Sequence, residues 1–416
     1  MEDLPKPKGH RRLPDALLHG DHKCENCHKP GANMICASCQ ISDIGSICTR
    51  YCSRDCQKEH WQEHKKVCRD RRRLARATRL YDTIWTTFAE NTFVSRFTLD
   101  GKTDGIVKVR PIYKKETLYH GGWTGETIFR DFPKAVMGDN EDDEIKQALL
   151  HESACDDVLS TGLGLVQSLL FQVCSKITEI HIKTKDRPIE VEIEGFTTVD
   201  WDHTVLRARL ESGEEFAIDL TGAQFGWQEK IYTWQSYIQH RAECLDGPAM
   251  ALGHAHMHQA LDMTKYPTEI LRRAAYEYRE EIAQGVGKSI TAFFNEKETS
   301  AWKFLSQAES TFPAQSAELV AKATMTIHDG IHKLTVERGL GRWYVHLDPC
   351  DYGLKVLRDE LLACKMKKIW MSKKRVDKVF LRFAHLPKPA MERACLDRLT
   401  DILEKRWALY MCCNDV

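Results

Sequence analysis

The 416-residue chain has no run approaching ~20 uninterrupted apolar residues, so no segment reads as a membrane span. It has no internal repeat and no low-complexity tract, which argues against a solenoid, a propeller or a fibrous array. Its opening Met1-Glu2-Asp3-Leu4-Pro5-Lys6 lacks the apolar stretch of a secretory signal, so an intracellular setting, nucleus and/or cytoplasm, is expected. Net charge is absent too, with 60 Lys+Arg against 60 Asp+Glu. The balance is uneven along the chain: residues 1–80 hold 17 basic and 10 acidic side chains, and the remainder carries the opposite excess. A basic head on an acidic body suggests an interaction surface near the N-terminus without identifying a partner.

Cysteine is what the chain has in quantity. Sixteen cysteines without a secretory leader favour metal ligands and free thiols over disulfides. Seven of them, with one histidine, form four close pairs: Cys24-x2-Cys27, Cys36-x2-Cys39, Cys52-x3-Cys56 and His64-x3-Cys68. A two-residue gap lets both thiolates of a turn reach one ion, and an i, i+4 pair on a helix shares one face. Eight ligands are the number two four-coordinate structural zinc ions take, with no coordination position left for a substrate. So dense a run leaves no room for an apolar core, and metal binding must supply its folding free energy. The other nine cysteines (Cys48, Cys155, Cys174, Cys244, Cys350, Cys364, Cys395, Cys412 and Cys413) show no ligand-like pairing beyond the adjacent last two.

The run Tyr51-Cys52-Ser53-Arg54-Asp55-Cys56-Gln57-Lys58-Glu59-His60-Trp61-Gln62-Glu63-His64-Lys65-Lys66-Val67-Cys68 resembles the second half of a MYND zinc finger, and the Cys24/Cys27/Cys36/Cys39 pairs match its first half. The resemblance covers 24–68 only. It implies interleaved (cross-braced) ligation: Cys24, Cys27, Cys52 and Cys56 on one Zn2+, and Cys36, Cys39, His64 and Cys68 on the second. Cys48 is a rival to Cys52, and His60, at i+4 from Cys56, is a second rival ligand; Cys52 is favoured because it follows Tyr51. The resemblance also implies protein partners, including proline-containing peptides, and a setting such as transcriptional or developmental regulation.

The rest of the chain reads as a mixed α/β body, making the whole α+β. A basic tail occupies 1–21. Ser53 is a plausible N-cap for a helix that continues past Cys68 through the basic run Arg69–Arg79 into the stripe Leu80, Ile84, Trp85, Phe88. We take 69–100 as a basic connecting helix, 101–310 as an α+β domain and 311–416 as a C-terminal mixed region. Strands are expected at 106–110, 177–183, 189–193, 203–210 and 216–220, with Asp186-Arg187-Pro188 as a turn. A loop is expected at 120–142, and helices at 160–176, 234–242, 268–284 and 316–325. Beyond these come strands near 331–336, 343–347 and 379–383, and helices at 353–364 and 391–410. The basic run reads first as a solvated helix face, then as an import signal. Direct nucleic-acid binding is not expected, because aromatic interleaving and base-reading finger spacing are both missing.

Is the body an enzyme? MYND fingers also occur in SET-domain methyltransferases, but their Asn-His-Ser-Cys-like motif is absent. A different arrangement is present. His203 opens one predicted strand and Asp219 ends the next, which sets them side by side on a hairpin. That resembles the His–Asp half of transglutaminase-like and papain-like thiol enzymes. Cys155, upstream of a predicted helix, is the candidate nucleophile, although Glu152, Asp156 and Asp157 around it disfavour a thiolate. His254-x-His256-x-His258 reads as a solvated or packed cluster on a helix, where only His254 and His258 converge. Phe225, Trp227, Tyr232 and Trp234 read as core anchors. The reading is thus a zinc-binding recruitment protein, with a thiol enzyme built on Cys155, His203 and Asp219 as the alternative.

Overall fold

The computed structural model describes residues 22–36, 39, 49–93, 97–111, 129, 132, 143–193, 202–265 and 270–334, leaving aside the side chains of 97, 111 and 260–275. The tail 1–21, Cys48, nearly all of the expected loop 120–142 and every element expected beyond 335 lie outside the described residues.

One helix organises the molecule. α1 (Arg54–Asn91) runs 38 residues without Gly or Pro. The hydroxyl oxygen of Ser53 accepts the Cys56 N–H at 3.2 Å, which satisfies one orphan donor of its first turn. Further along, Leu74, Ala77, Tyr81, Ile84, Trp85 and Phe88 recur every three or four residues and are all buried. The helix ends where the Thr92 N–H and hydroxyl both return to the Phe88 carbonyl, at 2.9 and 2.8 Å.

Ahead of α1, β1 (Met34–Ile35) and β2 (Arg50–Tyr51) pair antiparallel. Behind it, β3 (Phe97–Thr103) and β4 (Ile106–Pro111) form a hairpin. Next come α2 (Asp143–His151) and α3 (Cys155–Thr161), the latter continued by a short turn at Leu163–Leu165 and a π-helical turn at Val166–Leu170. The main sheet takes β5 (Cys174–Thr184), β7 (Asp202–Leu210), β8 (Glu215–Ile218), β9 (Ile231–Thr233), β10 (Ala242–Leu245) and β11 (Met250–Ala251), all antiparallel, in the order β10-β5-β7-β8-β9 with β11 also on β5. β6 (Glu190–Ile193) leaves that sheet and pairs parallel with β4. Around these lie α4 (Trp234–Arg241), α5 (His254–Lys265), α6 (Ile270–Glu296), α7 (Ala301–Leu305) and α8 (Phe312–His332).

The main sheet is covered on both faces. Leu206, Ala208, Phe216 and Ile218 face a large core shared with α1, α6 and α8; Ile180, Ile182, Val205 and Ala217 face a smaller cluster under Tyr232 and Tyr237 of β9 and α4. Covering both faces explains why β7 reads as a near-continuous buried run rather than an alternation.

Several expectations are corrected. The helix expected at 160–176 starts at Cys155 and gives way to β5 by Cys174. Strands 177–183 and 189–193 do not pair across the 186–188 turn, because β6 joins β4 instead. The strand expected from 331 begins inside α8, which runs to His332. Among the described residues one core gathers side chains from Leu74 to Leu334, so the boundaries at 100/101 and 310/311 do not separate independent cores.

The basic run is not a solvated face. Arg73 and Arg76 are buried against the body. Arg73 stacks 4.0 Å over Trp302 and donates to the Ser306 hydroxyl at 2.7 Å. Arg76 stacks 4.0 Å over Phe312 and donates to the Leu305 and Gln307 carbonyls at 2.9 and 2.7 Å. Arginine suits this role because its planar head stacks on an aromatic face while its edge N–H groups still donate.

Candidate functional site

The two turns holding Cys24/Cys27 and Cys36/Cys39 fold back on the start of α1. They form two groups of converging ligand atoms: Cys24, Cys27, Cys52 and Cys56 in one, and Cys36, Cys39, His64 and Cys68 in the other. The first group is the more exposed, and all four members of the second are buried. Cys27–Cys52 and Cys52–Cys56 sulfurs lie 3.5 Å apart. In the second group Cys36–Cys68 and Cys39–Cys68 are 3.9 and 3.6 Å apart, and Cys39 Sγ is 3.4 Å from His64 Nε2. Zn–S bonds of about 2.3 Å in a tetrahedron put the sulfurs about 3.8 Å apart, so both cages fit the ion. His60 stays outside: its Nδ1 pairs with the Tyr51 hydroxyl at 3.0 Å and its Nε2 lies 3.7 Å from Glu63.

The chemistry of the second cage points the same way. Cys39 and Cys68 hydrogen-bond Cys36 and pull its thiol well below the usual range. The same contacts, to Cys36 and Cys39, push Cys68 far up. Burial works against a charged His64, but the Cys36 and Cys39 sulfurs outweigh it and raise its pKa to about 9. Without metal, then, these groups share protons; a divalent cation takes the place of those protons.

The MYND finger family model matches residues 24–68. That stretch is a MYND finger. It carries two cages that fit two zinc ions, and it is a zinc-binding module of the protein-interaction type. The match spans this N-terminal segment alone. No solved structure matches the chain.

The body holds a second constellation. His203 near the start of β7 and Asp219 just past β8 are both fully buried, with His203 Nε2 3.0 Å from Asp219 Oδ1. Cys155 is the first residue of α3 and partly exposed, and its thiol acts on the charge of His203. Nε2 of the ring faces Asp219, and Nδ1 faces the Gln224 amide. Burial opposes a charge on His203, yet Asp219 and Cys155 together raise its pKa to about 10. Burial likewise opposes the Asp219 carboxylate, and His203, Tyr237 and Lys230 more than offset it, so its pKa is lowered. The Tyr237 hydroxyl donates to Asp219 Oδ2 at 2.9 Å and the Thr221 N–H to Oδ1 at 3.2 Å. Gly222 is packed on this carboxylate so closely that a Cβ there would meet Oδ2 at 2.7 Å.

Neighbours that sequence reading missed complete the arrangement. Gln224 takes the Ser153 N–H on Oε1 at 3.2 Å, donates from Nε2 to the Thr221 carbonyl at 3.2 Å, and sets Nε2 3.5 Å from His203 Nδ1. That network fixes which end of its amide faces the imidazole. The acids around Cys155 are also engaged. Asp157 pairs with Arg279 at 2.5 Å, and Asp156 accepts from the Thr204 hydroxyl at 2.7 Å. Burial raises Glu152 to about 7. Their ability to oppose a thiolate is correspondingly reduced. No sequence spacing signals Gln224 or Arg279, which reach the site only through folding.

The histidine triplet divides as a helix requires. His254 and His258 stand 6.1 Å apart ring to ring, and His181 of β5 joins them 5.9 Å from His254. His256 turns instead to the Ser160 hydroxyl at 3.2 Å. Among the described residues the only metal-compatible groups are the two in the finger. Trp227, Tyr232 and Phe225 are buried anchors, as expected, while Trp234 is only partly covered.

Proposed function

We propose that the chain is a thiol-dependent acyl-transfer enzyme of the transglutaminase or papain-like kind, brought to protein partners by its finger. The observation that carries this reading is the His203–Asp219 pair shut away from water on two strands, with Cys155 at a helix start close enough to act on the imidazole's charge. In this arrangement His203 holds the Cys155 proton as an imidazolium, and the thiolate sulfur attacks a carbonyl carbon, giving a tetrahedral adduct. His203 then gives that proton to the leaving amine, whose bond to carbon breaks and leaves a thioester on Cys155. Water or a second amine attacks the thioester, passes a proton through His203 to the sulfur and releases the acyl product. Asp219 holds Nε2–H throughout and stabilises the imidazolium.

The test is the alkylation rate of Cys155 in the intact protein, read by peptide mass spectrometry after brief iodoacetamide treatment. Exposed Cys244 serves as the reference in the same sample. Cys155 is expected to react at least 10-fold faster than Cys244, and His203→Ala to abolish the difference, in keeping with typical general-base contributions of ~100-fold or more. Labelling of Cys155 no faster than Cys244 sinks the enzyme reading.

A second reading rests on the finger. With the body catalytically silent, the protein is a recruitment scaffold, in transcriptional or developmental regulation, acting in the nucleus or cytoplasm. The family match over 24–68 favours it. Capture of proline-containing peptides by the full chain, lost on mutation of the finger, is its test.

A further inference from the structure

The finger's second metal cage has polar neighbours beyond its four ligands, and they lead out to the body. Thr49 Oγ1 lies 3.4 Å from His64 Nδ1 and 4.0 Å from Cys39 Sγ. With Nε2 of His64 turned toward the cage, Nδ1 is free to donate to this hydroxyl. Thr49 in turn accepts from Arg71 Nη1 at 3.0 Å. The Arg71 guanidinium also hydrogen-bonds the Cys39 sulfur. Its other edge grips Glu214, with Nε at 3.1 and 3.2 Å from the two carboxylate oxygens and Nη2 at 2.5 Å from Oε1. Glu214 is 143 residues away, in the tight turn between β7 and β8. Arg71 is mostly buried here and Glu214 about a quarter exposed.

We infer that Arg71 and Glu214 are positioning residues of the second zinc cage, so that a body hairpin helps hold a finger metal. The cage formed by Cys36, Cys39, His64 and Cys68 would gather three thiolates around one Zn2+, a net charge of −1 that a guanidinium offsets. A donor to a ligand sulfur and a partner for the ligand imidazole are what orient such ligands. Glu214 keeps Arg71 in place: the two-toothed pairing fixes the plane of the guanidinium, and with it the direction of the Nη1 donor. Beside the cage of Cys24, Cys27, Cys52 and Cys56, the side-chain bond from Asn26 to Glu59 stays within the finger. Through Arg71 the body therefore supports the second ion. Linkage is reciprocal, so an ion in the second cage must also steady the β7–β8 turn.

Full-length zinc-loaded protein, titrated with a chromophoric chelator, tests this. In wild type the chelator competes for both ions. In Glu214→Gln and Arg71→Lys, one of the two ions is expected to be surrendered at roughly 10-fold or more lower chelator activity, as when an outer-shell partner is lost, and the other at the wild-type value. Asp100→Asn, which breaks an exposed ion pair with Arg110 in the other sheet, is the control and should leave both unchanged. Hydrogen exchange supplies a readout independent of metal counting. On zinc removal, amides of 210–215 should exchange faster in wild type, and by a smaller factor in Arg71→Lys. Unchanged release of both ions in both variants overturns the inference, as does equal loosening of both ions or hairpin exchange indifferent to zinc. None of these readouts depends on Cys155 chemistry, so the enzyme reading can fail without touching this one.

Discussion

The finger and the thiol cluster are assembled by opposite means. The finger gathers eight ligands from 45 residues, and each pair is already brought near by a turn or by one helical turn. Its stability lies in a bond to something the chain does not itself contain. The thiol cluster draws Cys155, His203 and Asp219 from sites far apart in sequence and holds them by burial, with Tyr237, Gln224 and Lys230 behind them. Sequence-local sites can be read from spacing and lost by chelation; sites made by packing are hidden in spacing and lost by a cavity or an unpaired charge.

Chelation should separate the two most sharply. Metal contributes about 10–16 kcal/mol in small zinc modules, so stripping zinc should unfold residues 22–56 while the core around α1 persists. Hydrogen exchange checks this: amides before Ser53 should lose protection, and those of Leu80–Phe88 should keep theirs. Equal loss in both regions would erase the contrast.

Breaking the packed site from within comes next. Asp219→Ala leaves a buried His203 without its partner and should cost about 3–5 kcal/mol in urea unfolding. Asp219→Asn keeps the shape, should cost less, and should lose Cys155 reactivity all the same. An effect of zinc content on the size of this loss would show that the regions are not independent.

The two buried histidines give the body a signature in pH. His203 has its pKa raised to about 10, so its pairing adds stability that is complete below about 6.5 and fades as pH climbs through 10. His151 is fully buried, stacked on Trp85, and burial lowers its pKa to about 3. Protonating it favours unfolding, so stability falls as pH drops below about 6.5. Thermal melts of zinc-loaded protein should fall away on both sides. His151→Phe should flatten the acid side, and His203→Gln with Asp219→Asn the alkaline side.

The smallest effect lies at the junction. Ser53→Ala removes the cap of α1 and should cost about 1 kcal/mol, seen as easier zinc loss from the Cys52/Cys56 cage rather than as a lower body melting temperature.

Much of this was legible in the residues. Ser53 followed by helix formers without Gly or Pro implied the long helix, and alternation marked β4, β5 and β6 close to where they lie. The hairpin around Glu211–Glu214 set His203 and Asp219 on facing strands, because antiparallel register carries one residue opposite another. Arg73 and Arg76 misled, since a charged run on a helix looks solvated until Trp302 and Phe312 arrive from over 220 residues away to cover it. β6 misled because a turn at 186–188 suits a hairpin as well as it suits an exit to another sheet.

The ligand pairs, the helix that carries Cys56, His64 and Cys68, and the strand pattern of the body are dictated locally, by spacings of two to four residues and by what glycine, proline and branched side chains allow. Which thiol meets His203, which arginines are buried and which carboxylate steadies a zinc cage depend on contacts between segments 48 to 233 residues apart. Only the closing of a shared core chooses among such partners, because the energy of each contact exists only once water has been excluded around it.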